Sequence, residues 1–424
     1  MSKKRILLII PEMSMGGAQR SLSKLSLELS QQHQVYLVIF NTHHKIEYAH
    51  GGELLSLDVV PGAGIFGKLV AFTKRISRLR KLKMELSIEV AISFLEGADY
   101  VNILSRLKEN VIISIRGSKR HDETIVGRFH FVRNRILIPW LYKKVKTIVT
   151  VNKGIAEELI EHYGSENQQI VTIHNFYDTQ EIQSLAAEPK PADVEKLYKH
   201  PVLVISGRLS PEKGLIALVK VFYGAKKRRP DLKLVMVGDG PSYFELVKLC
   251  QQLNLRVETK PDFESMPDVL FLGAQTNVFK YLTGATLYLM NSSSEGFPNG
   301  LVEAMICKVP VVSSDCPYGP REILEPDFKF IEPVSAPYAS SSGILMPLIR
   351  SGADEECWIE SIIDLLGKRE ILFQLAARRW YYSLHAWFWH PAHMVQTNQS
   401  SATMGRTYLQ TGRSCTNPFT GTLK

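Results

Sequence analysis

The chain has 424 residues, of which 45% are hydrophobic and 22% are charged. At roughly 150 residues per domain this length predicts two or three domains, and the composition is that of an ordinary globular protein rather than a disordered or fibrous one. The net charge of +9 indicates an anionic partner. It leaves open a phosphorylated substrate, an anionic membrane surface and a nucleic acid.

The first apolar run, residues 6–10, stops at Pro11. Five residues are too few for a signal peptide or a membrane span, so the run predicts a first buried β-strand. The five cysteines form no CxxC pair and lie near no histidine cluster, which predicts reduced thiols and no zinc site. These features together indicate a cytoplasmic protein.

Apolar runs of strand length alternate with helical patterns along the following part of the chain. Nearly continuous apolar strands are typical of parallel sheets that are covered by helices on both faces. The rhythm pauses once, at residues 179–199, where Pro189 and Pro191 stand among charged residues. The further predicted strands are residues 35–40, 90–94, 111–115, 147–151, 202–206, 233–237, 269–272, 286–290 and 309–313.

This pattern predicts an α/β fold with two Rossmann-like, doubly wound domains that face a cleft. The predicted N-terminal domain is 1–178, the linker is 179–199 and the C-terminal domain is 200–375. The cleft between two such domains is the expected ligand site. In the tail, 376–424, the pattern ends, and its aromatic and small polar residues leave open an interface contact and an irregular end.

Residues 65–86 predict a strongly basic amphipathic helix. Apolar residues recur at helical spacing, and lysines and arginines, Lys83 among them, crowd the remaining faces. Two interpretations remain open at this point. The helix lies on an anionic lipid surface, or it packs its apolar stripe on the sheet and exposes its charged face to water.

The stretch from Ser292 to Leu324 carries the clearest sign of chemistry. Glu295 precedes a glycine-containing turn, and Glu303 lies about one turn inside the helix predicted at residues 301–307. A turn that leads from a parallel strand into a helix is where α/β folds bind phosphate, because backbone N–H groups and the helix dipole favour negative charge there. Taken alone, a helix-capping glutamate and a surface glutamate would be the simpler interpretation.

The spacing of Glu295 and Glu303 resembles the E-x7-E motif of the retaining GT-B glycosyltransferases of family four. In that family the first glutamate lies by the donor sugar and the second holds the nucleotide ribose. The sequence CPYGPREIL that follows resembles a subgroup that builds bacterial surface polysaccharides and lipid-linked oligosaccharides. The resemblance implies that the intervening backbone approaches the donor, through Gly296, Phe297, Pro298 and Asn299.

Further segments resemble the same family in the same order. Arg208 and Lys213, in GRLSPEKG, resemble the pair that clamps the donor diphosphate. Two cations suit that role because the leaving diphosphate gains negative charge as the glycosidic bond breaks. With Glu295, they are the predicted catalytic residues. The remaining donor contacts predicted from the resemblance are Gly16, Gly17, Gly207, Gly238 and Asn277.

The resemblance departs from the family pattern on the acceptor side. The segment GGAQR, which ends at Arg20, resembles the family's GG-x-E-R loop with a glutamine in place of glutamate. Arg116 stands where many relatives carry a histidine near the donor sugar, and arginine cannot act as a base at neutral pH. Arg20, Arg116 and Glu96 are predicted to face the acceptor, and His121 and His174 are alternative histidines.

The implied activity is transfer of a hexose or N-acetylhexosamine from a UDP-sugar, with retention of the anomeric configuration, in cell-surface polysaccharide biosynthesis. The expected acceptor is a growing glycan or a polyprenyl-diphosphate-linked sugar, with peripheral contact to the inner face of the cytoplasmic membrane. No cofactor and no metal are expected, because cations take the metal's place at the diphosphate. A nucleic-acid partner is not expected, since the cations are not interleaved with aromatic residues on a recognisable module.

Two other functions remain as alternatives. One is a sugar-nucleotide epimerase on the same fold. The other is a degenerate homologue that binds nucleotides without catalysis, to which the unusual tail and Arg116 lend support.

Overall fold

The N-terminal half of the chain forms one parallel sheet covered by helices. The computed structural model describes residues 3–43, 45–120, 128–165, 168–326 and 332–377. The strands are β1 (Arg5–Ile9), β2 (Gln34–Ile39), β3 (Glu53–Ser56), β4 (Val90–Phe94), β5 (Asn110–Ile115), β6 (Thr147–Thr150) and β7 (Gln169–Thr172), in the order β3-β2-β1-β4-β5-β6-β7. The helices are α1 (Gly17–Gln32), α2 (Gly64–Glu85), α3 (Glu96–Leu104), α4 (Arg128–Val132), α5 (Ile138–Tyr142) and α6 (Lys153–Tyr163), and a π-helical turn, Arg133–Leu137, joins α4 to α5.

The C-terminal half forms a second sheet. Its strands are β8 (Val202–Ser206), β9 (Lys233–Val237), β10 (Val257–Glu258), β11 (Val269–Phe271), β12 (Leu287–Met290), β13 (Val311–Ser314), β14 (Tyr338–Ala339) and β15 (Ile344–Met346), in the order β10-β11-β9-β8-β12-β13-β15-β14, and only β14 pairs antiparallel. The helices are α7 (Thr179–Ala186), α8 (Ala192–Leu197), α9 (Leu215–Arg228), α10 (Tyr243–Gln252), α11 (Phe279–Leu282), α12 (Asn299–Ile306), α13 (Pro320–Leu324), α14 (Gly352–Gly367) and α15 (Arg369–Ala377). The predicted α/β fold with two doubly wound sheets is confirmed.

The first strand shows why an unbroken apolar run forms a central strand here. Ile6 and Leu8 pack into one hydrophobic layer, while Leu7 and Ile9 pack into the layer on the other face of the sheet. All four are fully buried. A strand covered on both faces needs apolar residues at every position, so it loses the alternation of a half-exposed strand.

The predicted linker is itself helical and packed. Helices α7 and α8 lie within residues 179–199, and their apolar residues Ile182, Val194 and Leu197 are fully buried. They join the hydrophobic core that continues from the N-terminal sheet to the C-terminal sheet. The domain boundaries stay a prediction, and most of the tail, from residue 378 onward, lies outside the described residues.

Helix α2 divides into two parts with different surroundings. Its C-terminal part packs on the sheet, with Leu79 fully buried. Its first turns expose apolar side chains, and Ile65, Phe66 and Leu69 are 89%, 78% and 57% exposed. The packed stripe and the exposed apolar turns therefore occur on one helix.

The placement of Lys83 among the solvated cations of α2 was wrong. Its side chain is fully buried, with Nζ 2.8 Å from Glu109 and donating to the backbone and side-chain oxygens of Asn102. Burial lowers the pKa of Lys83 to about 8, although Glu109 opposes that shift. A lysine at the end of a basic run can turn inward when the neighbouring elements supply a carboxylate and amide oxygens, and sequence spacing does not reveal these partners.

Asp99 gives the N-terminal half an expected pH dependence. The side chain is fully buried, Ser93 Oγ donates to it at 2.7 Å, and burial raises its pKa from 3.8 to about 8. Between these two values the folded state holds a proton that the unfolded state has lost. Stability therefore falls as the pH rises from 4 to 8.

Asp99→Asn keeps an oxygen for Ser93 and cannot ionise. We expect a higher melting temperature than the wild type at pH 8, a smaller difference at pH 4 and a flatter profile between them. Thermal unfolding monitored by circular dichroism across this range is the measurement. Parallel profiles for the two proteins would contradict the assignment.

Candidate active site

The candidate site lies where the strand order of the C-terminal sheet reverses. Strand β8 is flanked by β9 on one side and by β12 on the other, and the later strands continue outward from each. Ligands of open α/β sheets bind in the crevice outside the carboxyl ends of the strands at such a point. The loops that leave β8 and β12, residues 207–214 and 291–298, are the two segments that carry the three predicted catalytic residues.

The two loops are in close contact through glycine. Gly214 has a φ of +60°, and a Cβ added there would lie 2.4 Å from the backbone oxygen of Asn291. Ser293 N donates to Glu212 O at 2.8 Å and ties the loops together. Gly238 is similarly constrained, since its Cβ would lie 1.8 Å from Gly207 O. Side chains at these positions would force the loops apart.

Lys213 and Glu295 meet across this contact. Lys213 Nζ lies 2.5 Å from Glu295 Oε1, and Ser292 Oγ donates to the same oxygen at 2.6 Å. Burial opposes the charge of Lys213, but Glu295 raises the pKa of the lysine above its ordinary value. The lysine is therefore a fixed cation at the switch point, and its counter-charge orients it.

Arg208 is the available cation of the pair that the sequence predicts. Its side chain is exposed and has no hydrogen-bond or ion-pair partner within the described part of the chain. It follows directly after Gly207, which has a φ of +131°. Lys213 and Arg208 thus differ in their environment, since the first is held by a carboxylate and the second can turn toward a ligand.

Helix α12 carries the second glutamate into the interior. The structure begins this helix at Asn299, two residues before the prediction, with Pro298 as its N-cap. Leu301 and Val302 are fully buried and anchor the helix, which leaves Glu303 only 4% exposed. Burial raises the pKa of Glu303, and the guanidinium of Arg20, whose Nη1 donates to Glu303 Oε1, opposes that shift.

The glycine loop before α1 lies against the start of α12. A Cβ at Gly17 would lie 3.0 Å from Asn299 Nδ2, and Gly16 N donates to Tyr48 Oη at 3.3 Å. Asn299 Oδ1 accepts hydrogen bonds from Asn175 Nδ2 at 2.7 Å and from Tyr177 Oη at 2.5 Å. The N-terminal half thereby meets the helix terminus at which a phosphate is expected.

The loop between Glu295 and α12 is held from the N-terminal half as well. Asn152 Nδ2 donates to Gly296 O, and a Cβ at Gly296 would lie 2.0 Å from Arg116 O. Phe297 is buried with its ring centre 4.8 Å from that of His174. His174 Nε2 lies 2.6 Å from Glu322 Oε1, so this histidine joins the two halves of the chain.

Some of the predicted site residues have polar groups that are already bound to other groups of the protein. The Glu96 carboxylate is bound by Arg133 and lies 3.0 Å from Lys119 Nζ. Burial raises the pKa of Glu96, but the two cations and a hydrogen bond from Tyr100 outweigh it and hold the value at about 2. The carboxylate of Glu96 therefore already has partners within the protein. Its contact with the acceptor stays a prediction.

Asn277 also has structural partners. Its Nδ2 donates to Leu185 O and Glu188 Oε2, both at 2.8 Å, and its Oδ1 accepts from Phe279 N at 3.1 Å. The side chain fixes the loop before α11 rather than pointing an unused amide at a ligand. Its donor role stays a prediction. His121 lies outside the described residues.

Sequence reasoning missed the partners that close the cleft. Lys24 lies 3.6 Å from Glu181, and Tyr177 is a partly buried neighbour of Glu303. Burial raises the pKa of Tyr177 far above its ordinary range. Neither side chain belongs to a short motif, so no local signal indicates it. Lys24 does lie one helical turn after Arg20, and this spacing places both cations on one face of α1.

The described residues offer neither a metal site nor a membrane-spanning helix. Within the described ranges, no group of three or more histidine, cysteine, aspartate or glutamate side chains is arranged to hold a metal ion. None of the helices in the described part of the chain has the length and apolar character needed to span a membrane.

Solved structures share this architecture. HepE of Anabaena in complex with UDP and glucose superimposes with a TM-score of 0.64 at 16% identity, over 88% of this chain and 93% of that one. Sucrose-phosphate synthase of Thermosynechococcus elongatus superimposes with a TM-score of 0.70 at 15% identity, over 93% and 98% of the two chains. Two doubly wound sheets that meet across a cleft, with carboxylates and cations at the switch point, define the GT-B class of glycosyltransferases.

Family profiles identify the chain more closely. The profile described as glycosyltransferase family 4 matches residues 15–181, and that of glycosyl transferases group 1 matches residues 188–346. Together the two profiles cover most of the chain. The chain therefore belongs to glycosyltransferase family 4, whose members are retaining enzymes that transfer a sugar from a nucleotide-sugar donor. The predicted family is thus confirmed.

Two curated relatives are similar over much of their length. An uncharacterized glycosyltransferase of Methanocaldococcus jannaschii is 27% identical over 64% of this chain and 66% of that protein. The N-acetylgalactosamine-N,N'-diacetylbacillosaminyl-diphospho-undecaprenol 4-alpha-N-acetylgalactosaminyltransferase of Campylobacter jejuni is 26% identical over 76% of this chain and 83% of that protein.

Proposed function

We propose that the protein transfers a hexose or an N-acetylhexosamine from a UDP-sugar to a lipid-linked or growing glycan in cell-surface polysaccharide biosynthesis. The observation that carries the proposal is the juxtaposition, at the switch point of the C-terminal sheet, of a partly buried Lys213–Glu295 pair with the exposed cation Arg208. A diphosphate leaving group needs such cations, and a donor sugar needs an oriented carboxylate beside them.

In this proposal each residue has one task. Arg208 and Lys213 stabilise the negative charge that the diphosphate gains as the glycosidic bond breaks. Glu295 orients the donor sugar, and Glu303 binds the ribose hydroxyls at the other end of the motif. The backbone from Gly296 to the start of α12 supports the phosphate through its N–H groups.

The proposal needs no metal, because two side-chain cations supply the positive charge at the diphosphate. It also assigns no general base. The leaving phosphate oxygen accepts the proton of the attacking hydroxyl on the same face of the sugar, so the new bond forms with the original anomeric configuration.

A donor screen tests the proposal. Calorimetry with a panel of UDP- and GDP-sugars is expected to show binding of UDP-hexoses or UDP-N-acetylhexosamines, and slow donor hydrolysis is expected to release the free sugar without an acceptor. Absence of binding by every sugar nucleotide would refute the donor site. Binding of GDP-sugars alone would refute the choice of UDP.

The acceptor is proposed to be a polyprenyl-diphosphate-linked sugar at the cytoplasmic face of the membrane. The Campylobacter relative is named for such an acceptor, a diphospho-undecaprenol glycan. The exposed apolar turns of α2, with Lys68 and Lys74 beside them, favour a protein that rests on an anionic lipid surface.

A second exposed apolar surface lies on the same side of the N-terminal sheet. Phe131, Ile136 and Trp140 are 64%, 59% and 52% exposed on the continuous helical segment formed by α4, the π-helical turn and α5. Helix α3 lies between this segment and α2. Glu96 of α3 contacts Arg133 of the segment, and Asn102 of α3 contacts Lys83 of α2. The proposal assigns both apolar surfaces to the membrane contact.

Replacing Ile65, Phe66 and Leu69 together by serine is expected to weaken binding to vesicles that contain phosphatidylglycerol by at least tenfold. An apolar side chain of this size contributes about 1.5–3 kcal/mol when it leaves water. Vesicle co-sedimentation measures the change. Phe244→Ser is the matched control, because this phenylalanine is 81% exposed in the C-terminal half. Equal vesicle binding by the triple variant and the wild type would contradict the membrane contact.

The epimerase and the non-catalytic homologue are less favoured alternatives. Family membership supports transfer, and the intact cation and carboxylate set argues against a degenerate site. An epimerase would convert the donor without any acceptor into an isomeric sugar, which mass spectrometry with chromatographic separation of the products would detect.

A further inference from the structure

Arg116 is an unusual cation in the cleft. Its Nη2 donates to Ser21 Oγ at 2.9 Å and to Asn175 Oδ1, and the guanidinium lies 5.4 Å from the ring centre of Phe94. None of the described aspartate or glutamate side chains forms an ion pair with it. Burial lowers the pKa of Arg116 to about 10, and the side chain still carries its charge at neutral pH.

The neighbouring cations are compensated and Arg116 is not. Arg20 is paired with Glu303, and Lys24 lies 3.6 Å from Glu181. A charge that is removed from water is costly unless a counter-charge or a full set of hydrogen bonds replaces the water. The Nε and Nη1 atoms of Arg116 have no protein hydrogen-bond partner in the described part of the chain, and the side chain is only partly enclosed. These atoms are free to bind a ligand.

Arg116 belongs to the segment that packs against the loop carrying Glu295. Its backbone oxygen contacts Gly296, directly after Glu295. Its two hydrogen-bond partners, Ser21 and Asn175, line a small open pocket that also contains Arg20 and Lys24. The pocket lies mainly on the N-terminal side of the cleft, whereas Arg208 and Lys213 are on the C-terminal side.

We propose that Arg116 selects acceptors that carry an anionic group within about one sugar residue of the accepting hydroxyl. This inference rests on the proposed function, because it takes the donor diphosphate to be bound by Arg208 and Lys213. A guanidinium presents paired N–H groups that match the two oxygens of a phosphate or a carboxylate. The anionic group is therefore either a phosphate at the reducing end of the acceptor sugar or the carboxylate of an acidic sugar.

The test uses protein saturated with UDP, so that the donor phosphate site is filled. Glucose 1-phosphate, glucuronic acid and neutral glucose are the probes, and their binding is followed by ligand-observed NMR. The variants are Arg116→Gln, which removes the charge, and Arg116→Lys, which keeps the charge without the fork. Arg75→Gln is the matched control, because Arg75 is likewise partly buried and lies 4.4 Å from the ring centre of Phe40, but on α2.

At least one anionic probe is expected to bind the wild type at least tenfold more tightly than glucose. This preference is expected to disappear in Arg116→Gln, to be intermediate in Arg116→Lys and to be unchanged in Arg75→Gln. Preference for glucose 1-phosphate identifies a phosphate at the reducing end, and preference for glucuronic acid identifies an acidic sugar.

The proposal is overturned if neither anionic probe binds the wild type better than glucose, or if the preference survives in Arg116→Gln. UDP binding to the same proteins separates this result from the proposed function. Retained UDP binding without an anion preference overturns the role of Arg116 alone, whereas a wild type that does not bind UDP overturns the donor site. If the glutamine variant does not fold, the lysine variant decides the outcome, since an unchanged preference there overturns bidentate recognition.

Discussion

Lys213→Met is expected to lower kcat by roughly 10²- to 10³-fold. Removal of one preorganised group that stabilises developing negative charge has an effect of this size in enzymes. The substitution also leaves Glu295, whose side chain is only 11% exposed, without its cation. Donor turnover at saturating UDP-sugar is the measurement, because the loss belongs to the transition state more than to ground-state binding.

Lys220→Met is the matched control for this change. Lys220 lies on α9, a few residues after Lys213, and its Nζ is 3.8 Å from Glu355 on the surface. Its replacement is expected to leave kcat unchanged. An unchanged kcat in Lys213→Met, with the donor still bound, would show that Lys213 does not act on the leaving group.

Glu303→Ala is expected to produce two separate losses. Its removal leaves the guanidinium of Arg20, which is 27% exposed, without a counter-charge. Breaking a buried ion pair from one side costs about 3–5 kcal/mol, and the partial exposure of Arg20 places the expected destabilisation at the lower end. UDP affinity is expected to fall roughly 10- to 100-fold, because hydrogen bonds to a charged group contribute about 1.5–3 kcal/mol.

A double variant separates these effects. Arg20→Met combined with Glu303→Ala removes both charges and is expected to recover most of the stability in urea unfolding, while UDP binding stays weak. Glu195→Ala, an exposed glutamate on α8, serves as the control for the substitution itself. If the double variant recovered UDP binding together with stability, Glu303 would be a structural partner of Arg20 and would not be a ribose ligand.

The arrangement of the candidate donor residues in the C-terminal half was predictable because its signals are local. Glu295 and Glu303 lie in one turn and one helix, and the glycines between them reflect a real steric need, since Gly296 leaves no room for a Cβ beside Arg116 O. The positions of β8 and β12 follow from apolar runs that are covered on both faces. These features need only the sequence within a few residues of each motif.

The contacts between the two halves were not predictable in this way. Arg20 and Glu303 are 283 residues apart, and Asn175 and Asn299 are 124 apart. No periodicity connects such pairs, because they depend on how two sheets are placed against each other. The inward turn of Lys83 was likewise not predictable from spacing, because its partner Glu109 lies beyond strand β4 and helix α3.

Short strands were the other part of the fold that the sequence did not predict. Strand β10 has two residues and β15 has three, which is too few to show a repeating hydrophobic pattern. They form because β11 and β13 offer them a free edge in the parallel sheet. Tertiary pairing, rather than their own sequence, decides that they become strands.

Hydrogen–deuterium exchange in the presence of a UDP-sugar is the sharpest test of a donor site at the β8–β12 switch point. We expect the donor to protect the loops at residues 207–214 and 291–298 and the first turn of α12, and Lys213→Met to reduce turnover without removing this protection. Protection that is confined to other segments, or no protection by any sugar nucleotide at saturating concentration, would contradict a donor site at the β8–β12 switch point.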